Sequence, residues 1–186
     1  MVKKKETSKL GQQDWLDLGL KVLAEEGVEA LRVEPLAKLL KVTKGSFYWH
    51  FKNRENFLEA ILQTWVNQET SSIINQVEAI GGDAATKLLN LLELTVQDDG
   101  QVENAIRSWA TKDSKVAAVL EKVDKLRLGY TKDLFLAVGF TPFEAMVRAR
   151  MAYYFLVGEF TLGTRTNQDE RLAEVRLQHL ILIRRD

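Results

Sequence analysis

Apolar residues return every three or four positions along nearly the whole chain, the period of an α-helix, and alternating β-branched runs are missing. In the first segment Trp15, Leu18, Val22 and Leu23 share one stripe, and Gly27 ends it, as glycine does just past a helix terminus. Leu36, Ala37, Leu39 and Leu40 predict a short second helix, and a third follows over 44–51. Asn53 offers an N-cap for a long fourth helix that carries Phe57, Ile61, Leu62 and Trp65 and runs past Ile74. Gly81-Gly82-Asp83 is the clearest break. Leu88, Leu89, Leu91, Leu92 and Val96 make a fifth helix, closed by Asp98-Asp99-Gly100. A sixth covers 103–111 and a seventh 114–137, ending at Gly139. Thr141 before Pro142 is a cap followed by proline in the first turn, a start signal for an eighth helix running towards Gly163. A ninth spans 168–183. The expected fold is all-α, with about nine helices.

Composition narrows the chemistry. The 186 residues contain no cysteine, which removes disulfides, thiolate metal sites and cysteine nucleophiles together. His50 and His179 are the two histidines, too few for a histidine-based metal centre within one chain. The longest stretch without a charged residue, 134–143, is about half of what a membrane-spanning helix needs. Met1-Val2-Lys3-Lys4-Lys5-Glu6 has no apolar run behind it, so a signal peptide is not expected, and the reading is a cytoplasmic protein with no membrane partner. The 26 basic and 26 acidic residues cancel overall, but residues 1–55 carry a net charge of +3 and residues 56–186 a net of −3.

Within the basic part the spacing is specific. Ala37 lies four residues before the turn residue Lys41, Val42 plugs the corner, and Phe47 follows ten residues after Ala37. A small residue, a tight turn and then buried aliphatic and aromatic residues describe two short helices crossing steeply, a helix-turn-helix. The run Val42-Thr43-Lys44-Gly45-Ser46-Phe47-Tyr48-Trp49-His50-Phe51-Lys52-Asn53-Arg54-Glu55-Asn56-Phe57-Leu58 resembles the DNA-binding signature of TetR-family transcriptional regulators. Gly27, the Leu36-Ala37 pair and the long fourth helix fit the same family over roughly residues 12–62.

That resemblance implies a helix-turn-helix domain over 1–55 and an effector-binding and dimerisation domain over 56–186. Thr43, Lys44, Gly45 and Ser46 would open the recognition helix, whose first residues face base edges in the major groove. Lys44 and Ser46 can reach bases, and Gly45 lets the helix end come close. Tyr48, His50, Lys52 and Arg54 suit phosphates, which position a protein without specifying sequence, and Trp49 suits a thymine methyl or the sugar wall. His50 serves equally well as packing at the helix end. Family members usually carry glycine where Lys41 stands and Ser or Thr where Arg32 stands; a left-handed Lys41 meets a modest steric cost.

In the larger part, most aromatic residues are expected in the core. A ligand pocket between helices is the functional alternative, with Asn104, Arg107, Trp109 and Tyr130 as candidates, although Arg107 could equally be an ion-pair residue. The last two helices carry broad apolar faces, Met146, Tyr153, Leu156, Val157 and Phe160 on one and Leu172, Val175 and Leu180 on the other. In the family these helices pair with their copies as a four-helix bundle, which implies a homodimer.

No phosphate loop, nucleophile elbow or metal-ligand spacing is present, so no catalytic residue, metal or cofactor is assigned and an enzyme is not expected. The resemblance implies a regulator, more often a repressor, that binds a palindromic operator in double-stranded DNA and is released by a small-molecule effector of unknown identity. Two alternatives remain open: a DNA-binding regulator without an effector, and a helical ligand-binding protein or enzyme with a vestigial helix-turn-helix.

Overall fold

The structure, a computed structural model, describes residues 10–162 and 167–185. Met1–Glu6 and Gly163, on which two of the expectations above fall, lie outside the described residues. All regular structure among the described residues is helical: α1 (Gln12–Glu26), a short 3₁₀ turn (Val28–Ala30), α2 (Val33–Leu39), α3 (Lys44–His50), α4 (Arg54–Val66), a π-helical segment (Asn67–Ser72), α5 (Ile73–Ile80), α6 (Ala84–Thr95), α7 (Gln101–Ala110), α8 (Ser114–Val138), α9 (Pro142–Leu162) and α10 (Gln168–Ile183). Taking α4, the π segment and α5 as the predicted fourth helix, nine helical rods make up the described residues. The chain divides into two compact units, 1–64 and 65–186. The division falls inside α4.

The first unit is built around aromatic rings. Trp15, Phe47, Phe51 and Phe57 are all but inaccessible to solvent. Phe47 meets Trp15 edge-on at 5.3 Å and Phe57 at 5.4 Å, the offset geometry that aromatic pairs favour. Gly19 on α1 is where α4 comes closest: a Cβ there would lie 2.4 Å from Ile61 Cδ1 and 2.7 Å from the Phe57 ring. Leu39, grouped with the apolar positions of α2 by pattern, is instead exposed.

The second unit has its core between α6, α8, α9 and α10, centred on Leu88, Leu92, Leu134, Phe135, Phe140 and Leu182. Ala145, Ala149 and Ala152 put a stripe of small side chains on the buried face of α9. Asn53, the expected cap of α4, accepts from Asn56 N at 2.8 Å, and further helix starts are capped in the same way. Asp83 accepts from Thr86 N at 2.8 Å and Asn167 from Glu170 N at 3.0 Å. Thr141 and Glu144 close a reciprocal box before Pro142: Thr141 N donates to Glu144 Oε2 at 2.9 Å and Glu144 N to Thr141 Oγ1 at 3.4 Å. Gly100, which leads into α7, has φ +67°, and a Cβ there would sit 2.2 Å from the Phe160 ring. No helix among the described residues is long and apolar enough to cross a membrane.

Candidate nucleic-acid interface and ligand cavity

The turn between α2 and α3 is closed by the backbone. Lys41 N donates to Lys38 O at 3.1 Å and Val42 N to Ala37 O at 2.9 Å. Lys41 adopts φ 56°, the left-handed region, the one non-glycine residue to do so among the described residues. Arg32 takes the cap position of α2 without a side-chain cap, and its Nε donates back to Glu29 O at 3.0 Å.

Phe47 is the pivot of α3, fully buried, so the adjacent positions must face outward. Tyr48 is 58% exposed and Trp49 85%, although the Tyr48 ring still rests edge-on against Phe47 at 5.3 Å. Thr43, Lys44, Gly45 and Lys52 are exposed, and Ser46 and His50 half-buried. His50 also touches the Phe51 ring, so it keeps both of its readings. At Gly45 an added Cβ would meet nothing closer than Thr43 Oγ1 at 3.6 Å, so no neighbour within the protein requires a glycine there. Lys44 Nζ pairs with the Glu34 carboxylate on α2. Arg54 departs from expectation: its Nε donates to Leu31 O at 2.7 Å and its Nη2 to Val28 O at 2.9 Å. Those bonds reach the Leu31 carbonyl, and the Val28 carbonyl that already accepts from Leu31 N, and they hold the guanidinium to the protein.

The second unit encloses a cavity of about 340 Å³, within the range of small-molecule sites. Its walls are mainly apolar, with Ile73, Ile74, Leu91, Val102, Leu156 and Phe160 among them. The polar lining comes from the π segment and from α7 and α8. Arg127 Nε donates to Thr70 Oγ1 at 3.0 Å, Nη1 to Glu103 Oε2 at 3.0 Å and Nη2 to the Glu69 carbonyl at 3.2 Å, while the guanidinium lies 5.4 Å over the Trp65 ring. Arg107 Nη2 sits 2.8 Å from Glu103 Oε1, from Asp124 Oδ1 and from the Tyr153 hydroxyl. Tyr153 in turn donates to Asp124 at 2.6 Å. Burial opposes the charge on both arginines, and the carboxylates around them more than offset it, so both stay protonated more firmly than a free guanidinium. Burial also lifts the Tyr153 phenol above its ordinary value. Two cations and two carboxylates thus form a neutral, bonded set, with Arg127 and Glu103 on the cavity wall and Arg107 and Asp124 off it.

Glu69 stands apart from that set. It lines the cavity, and its carboxylate has no hydrogen-bond or ion-pair partner among the described residues. Burial first, then the charge of Asp98, pushes its carboxyl up to about 7, against the lowering effect of Arg127.

Of the four effector candidates read from sequence, Tyr130 lines the cavity; its hydroxyl donates to Glu78 at 2.8 Å. The other three lie off the wall. The Asn104 amide is held on the Phe160 carbonyl, Arg107 belongs to the network with Asp124, and Trp109 is core. The face assigned to dimerisation also needs correction. Tyr153, Leu156 and Phe160 turn inward to the cavity, Val175 is 4% exposed and Leu172 packs against the core. Met146 and Val157 are half-buried, and Leu180 alone of that set is exposed. The outward apolar stripe of α9 is Phe143, Val147, Met151 and Tyr154, spaced by four, four and three; α10 presents Leu177, Leu180 and Ile181.

Sequence reading missed Glu69, Thr70 and Arg127. Two signals mark them. Asn67-Gln68-Glu69-Thr70-Ser71-Ser72 is a fully polar run inside an otherwise amphipathic helix, and it is the segment that winds as π, a form that often marks functional sites. Arg127 occupies the inward stripe of α8, four residues from both Val123 and Thr131, where a charged residue is out of pattern.

Residues 16–61 match the family model described as bacterial regulatory proteins, tetR family. The tetracycline repressor protein class G of Vibrio anguillarum is 23% identical over 175 residues, covering 90% of this chain and 75% of that one. Among solved structures, a TetR-family transcriptional regulator from Streptomyces coelicolor aligns with a TM-score of 0.77 at 12% identity, over 91% of this chain and 92% of its own. The regulator FadR from Bacillus subtilis, solved in complex with stearoyl-CoA, aligns with a TM-score of 0.69 at 16% identity, over 93% and 98%.

Proposed function

The chain belongs to the TetR family of bacterial regulatory proteins through its first unit, and on that premise we propose that it is a dimeric repressor whose operator binding is released by a molecule in the cavity of the second unit. The observation that carries the reading is α3: a seven-residue helix anchored by one buried ring, Phe47, with Lys44, Gly45, Tyr48 and Trp49 turned outward. A large aromatic residue 85% exposed beside exposed lysines makes poor sense as folding and good sense as a surface that meets a duplex. Thr43, Lys44, Gly45 and Ser46 then read base edges, while Tyr48, Trp49, His50 and Lys52 meet sugar and phosphate. Arg54 supports this surface from behind, through Leu31 and Val28.

Two such helices about one helical turn apart would read an inverted repeat. The exposed apolar stripes of α9 and α10 supply a surface for the second copy, and a DNA partner makes the cytoplasm its working compartment. The stearoyl-CoA complex of the Bacillus subtilis neighbour supports an effector lodged in a unit of this fold. Release requires the effector to bind one DNA-spacing state better than the other, a coupling of about 1–3 kcal/mol.

Selection of bound duplexes from a random pool at near-physiological salt tests the reading. An inverted repeat is expected, and the Lys44→Ala/Tyr48→Ala double variant should lose it while remaining a dimer. Full-strength binding by the double variant would remove α3 from the interface.

A further inference from the structure

The arrangement of charge around the cavity narrows what it can hold. Arg107 and Arg127 are matched by Glu103 and Asp124 through direct bonds, with Tyr153 joining the two pairs. Arg127 is already bonded through Nε, Nη1 and Nη2 to Thr70, Glu103 and the Glu69 carbonyl, and Arg107, whose Nε is buried without a partner, is not among the lining residues. Asp98, also on the wall, accepts from Gly100 N. Among the described lining residues, Glu69 is therefore the carboxylate without a partner, and Arg127 is the one cation. An anion entering here would meet Glu69 and Asp98, with only the already paired Arg127 as a cation, at a high desolvation cost. A cation would gain a direct partner in Glu69 and aromatic neighbours in Tyr130, Tyr153 and Phe160.

We propose that the cavity takes an apolar molecule bearing one cationic nitrogen, received by Glu69 while its hydrocarbon part lies against Ile74, Leu91 and Leu156. The proposal rests on the reading of this cavity as the effector site. Ionised Glu69 faces Asp98, Asp99 and Glu103 as like charges and Arg127 as the opposite one, and a ligand cation relieves that repulsion. Cation binding should therefore draw the proton off Glu69, so affinity rises between pH 6 and 8 with proton release.

The test is calorimetric titration of the full chain with n-octylammonium, octan-1-ol and octanoate, three probes of one length and different charge. Octylammonium should bind about tenfold tighter than octanol at pH 8, and octanoate weakest. The isosteric Glu69→Gln should erase the preference for octylammonium over octanol. Leu156→Trp, which fills the cavity, should abolish binding of all three. Equal or reversed affinities overturn the proposal, as does a preference that survives in Glu69→Gln, or no octylammonium binding at millimolar concentration.

Duplex affinity, measured in parallel, separates this proposal from the reading beneath it. Octanol or octanoate that binds, is lost in Leu156→Trp and weakens DNA binding would keep the effector site and reject the cationic class. Octylammonium that binds through Glu69 and leaves duplex affinity untouched would keep the ligand class and reject the effector role.

Discussion

Lys44, the first residue of α3, is paired with Glu34 on the helix before it, ten residues earlier in the chain. Both side chains are more than half exposed, so the pair contributes little to stability, about 0–1 kcal/mol. Its consequence lies in what Lys44 can reach: a lysine held by a carboxylate is partly withdrawn from the duplex, and the carboxylate itself repels phosphate. Glu34→Gln should therefore raise duplex affinity several-fold with melting temperature unchanged, and should steepen the salt dependence of binding. Fluorescence anisotropy at several salt concentrations measures both; a loss of affinity would mean that Glu34 itself contacts the DNA.

Gly45 separates folding from function. Nothing in the protein crowds its missing side chain, so Gly45→Ala should stabilise the first unit by about 0.5–1 kcal/mol through helix propensity. Duplex affinity should fall at least tenfold if the helix end approaches the groove as closely as proposed. Urea denaturation and anisotropy on the same preparation give the two numbers, which are expected to move in opposite directions.

The two apolar faces of the last helices predict different failures. Leu180 is 62% exposed on α10 and Val175 is 4% exposed, one turn and a half away on the same helix. Leu180→Arg should yield a folded monomer in sedimentation experiments. Val175→Arg should instead unfold the second unit, because a charge would be placed in the core without a partner. A Leu180→Arg protein that remains dimeric would move the interface elsewhere.

Glu69 gives the second unit a pH dependence of definite sign. Its folded carboxyl lies at about 7, above the ordinary value of 4.5, so the folded state binds the extra proton between those limits. Stability should fall as pH rises from 4.5 to 7, and the full penalty should be present at pH 8. Glu69→Gln should be neutral at pH 5 and stabilising by about 1–2 kcal/mol at pH 8, after allowance for the part of the group that solvent still screens. Urea unfolding at the two pH values tests it.

The helix-turn-helix was legible because it is local. Ala37, Lys41, Val42 and Phe47 lie within eleven residues, and each must be small, left-handed, aliphatic or aromatic for the two helices to cross. The bias of α9 was harder to read because that helix is apolar on both sides. The pattern located one real face, Met146 to Phe160, but periodicity cannot tell whether such a face meets the protein's own core or a second copy. Large residues such as Phe143 and Tyr154 point outward, and three alanines carry the inward packing, the reverse of what side-chain size suggests. The cavity was least legible, since its polar wall depends on a π-helical segment and on an arginine whose partners are 24 to 58 residues distant.

The fit between Gly100 and Phe160 has a further consequence. The ring that forms part of the cavity wall is seated against a residue with no side chain, and its own carbonyl receives the Asn104 amide. The loop before α7 thus works as a mould for the chamber, its hollow cast by the absence of a single methyl group. Any larger residue at 100 would drive the ring from its seat and resize the chamber from behind. Selectivity among ligands of different girth can then be retuned at a position that none of them touches.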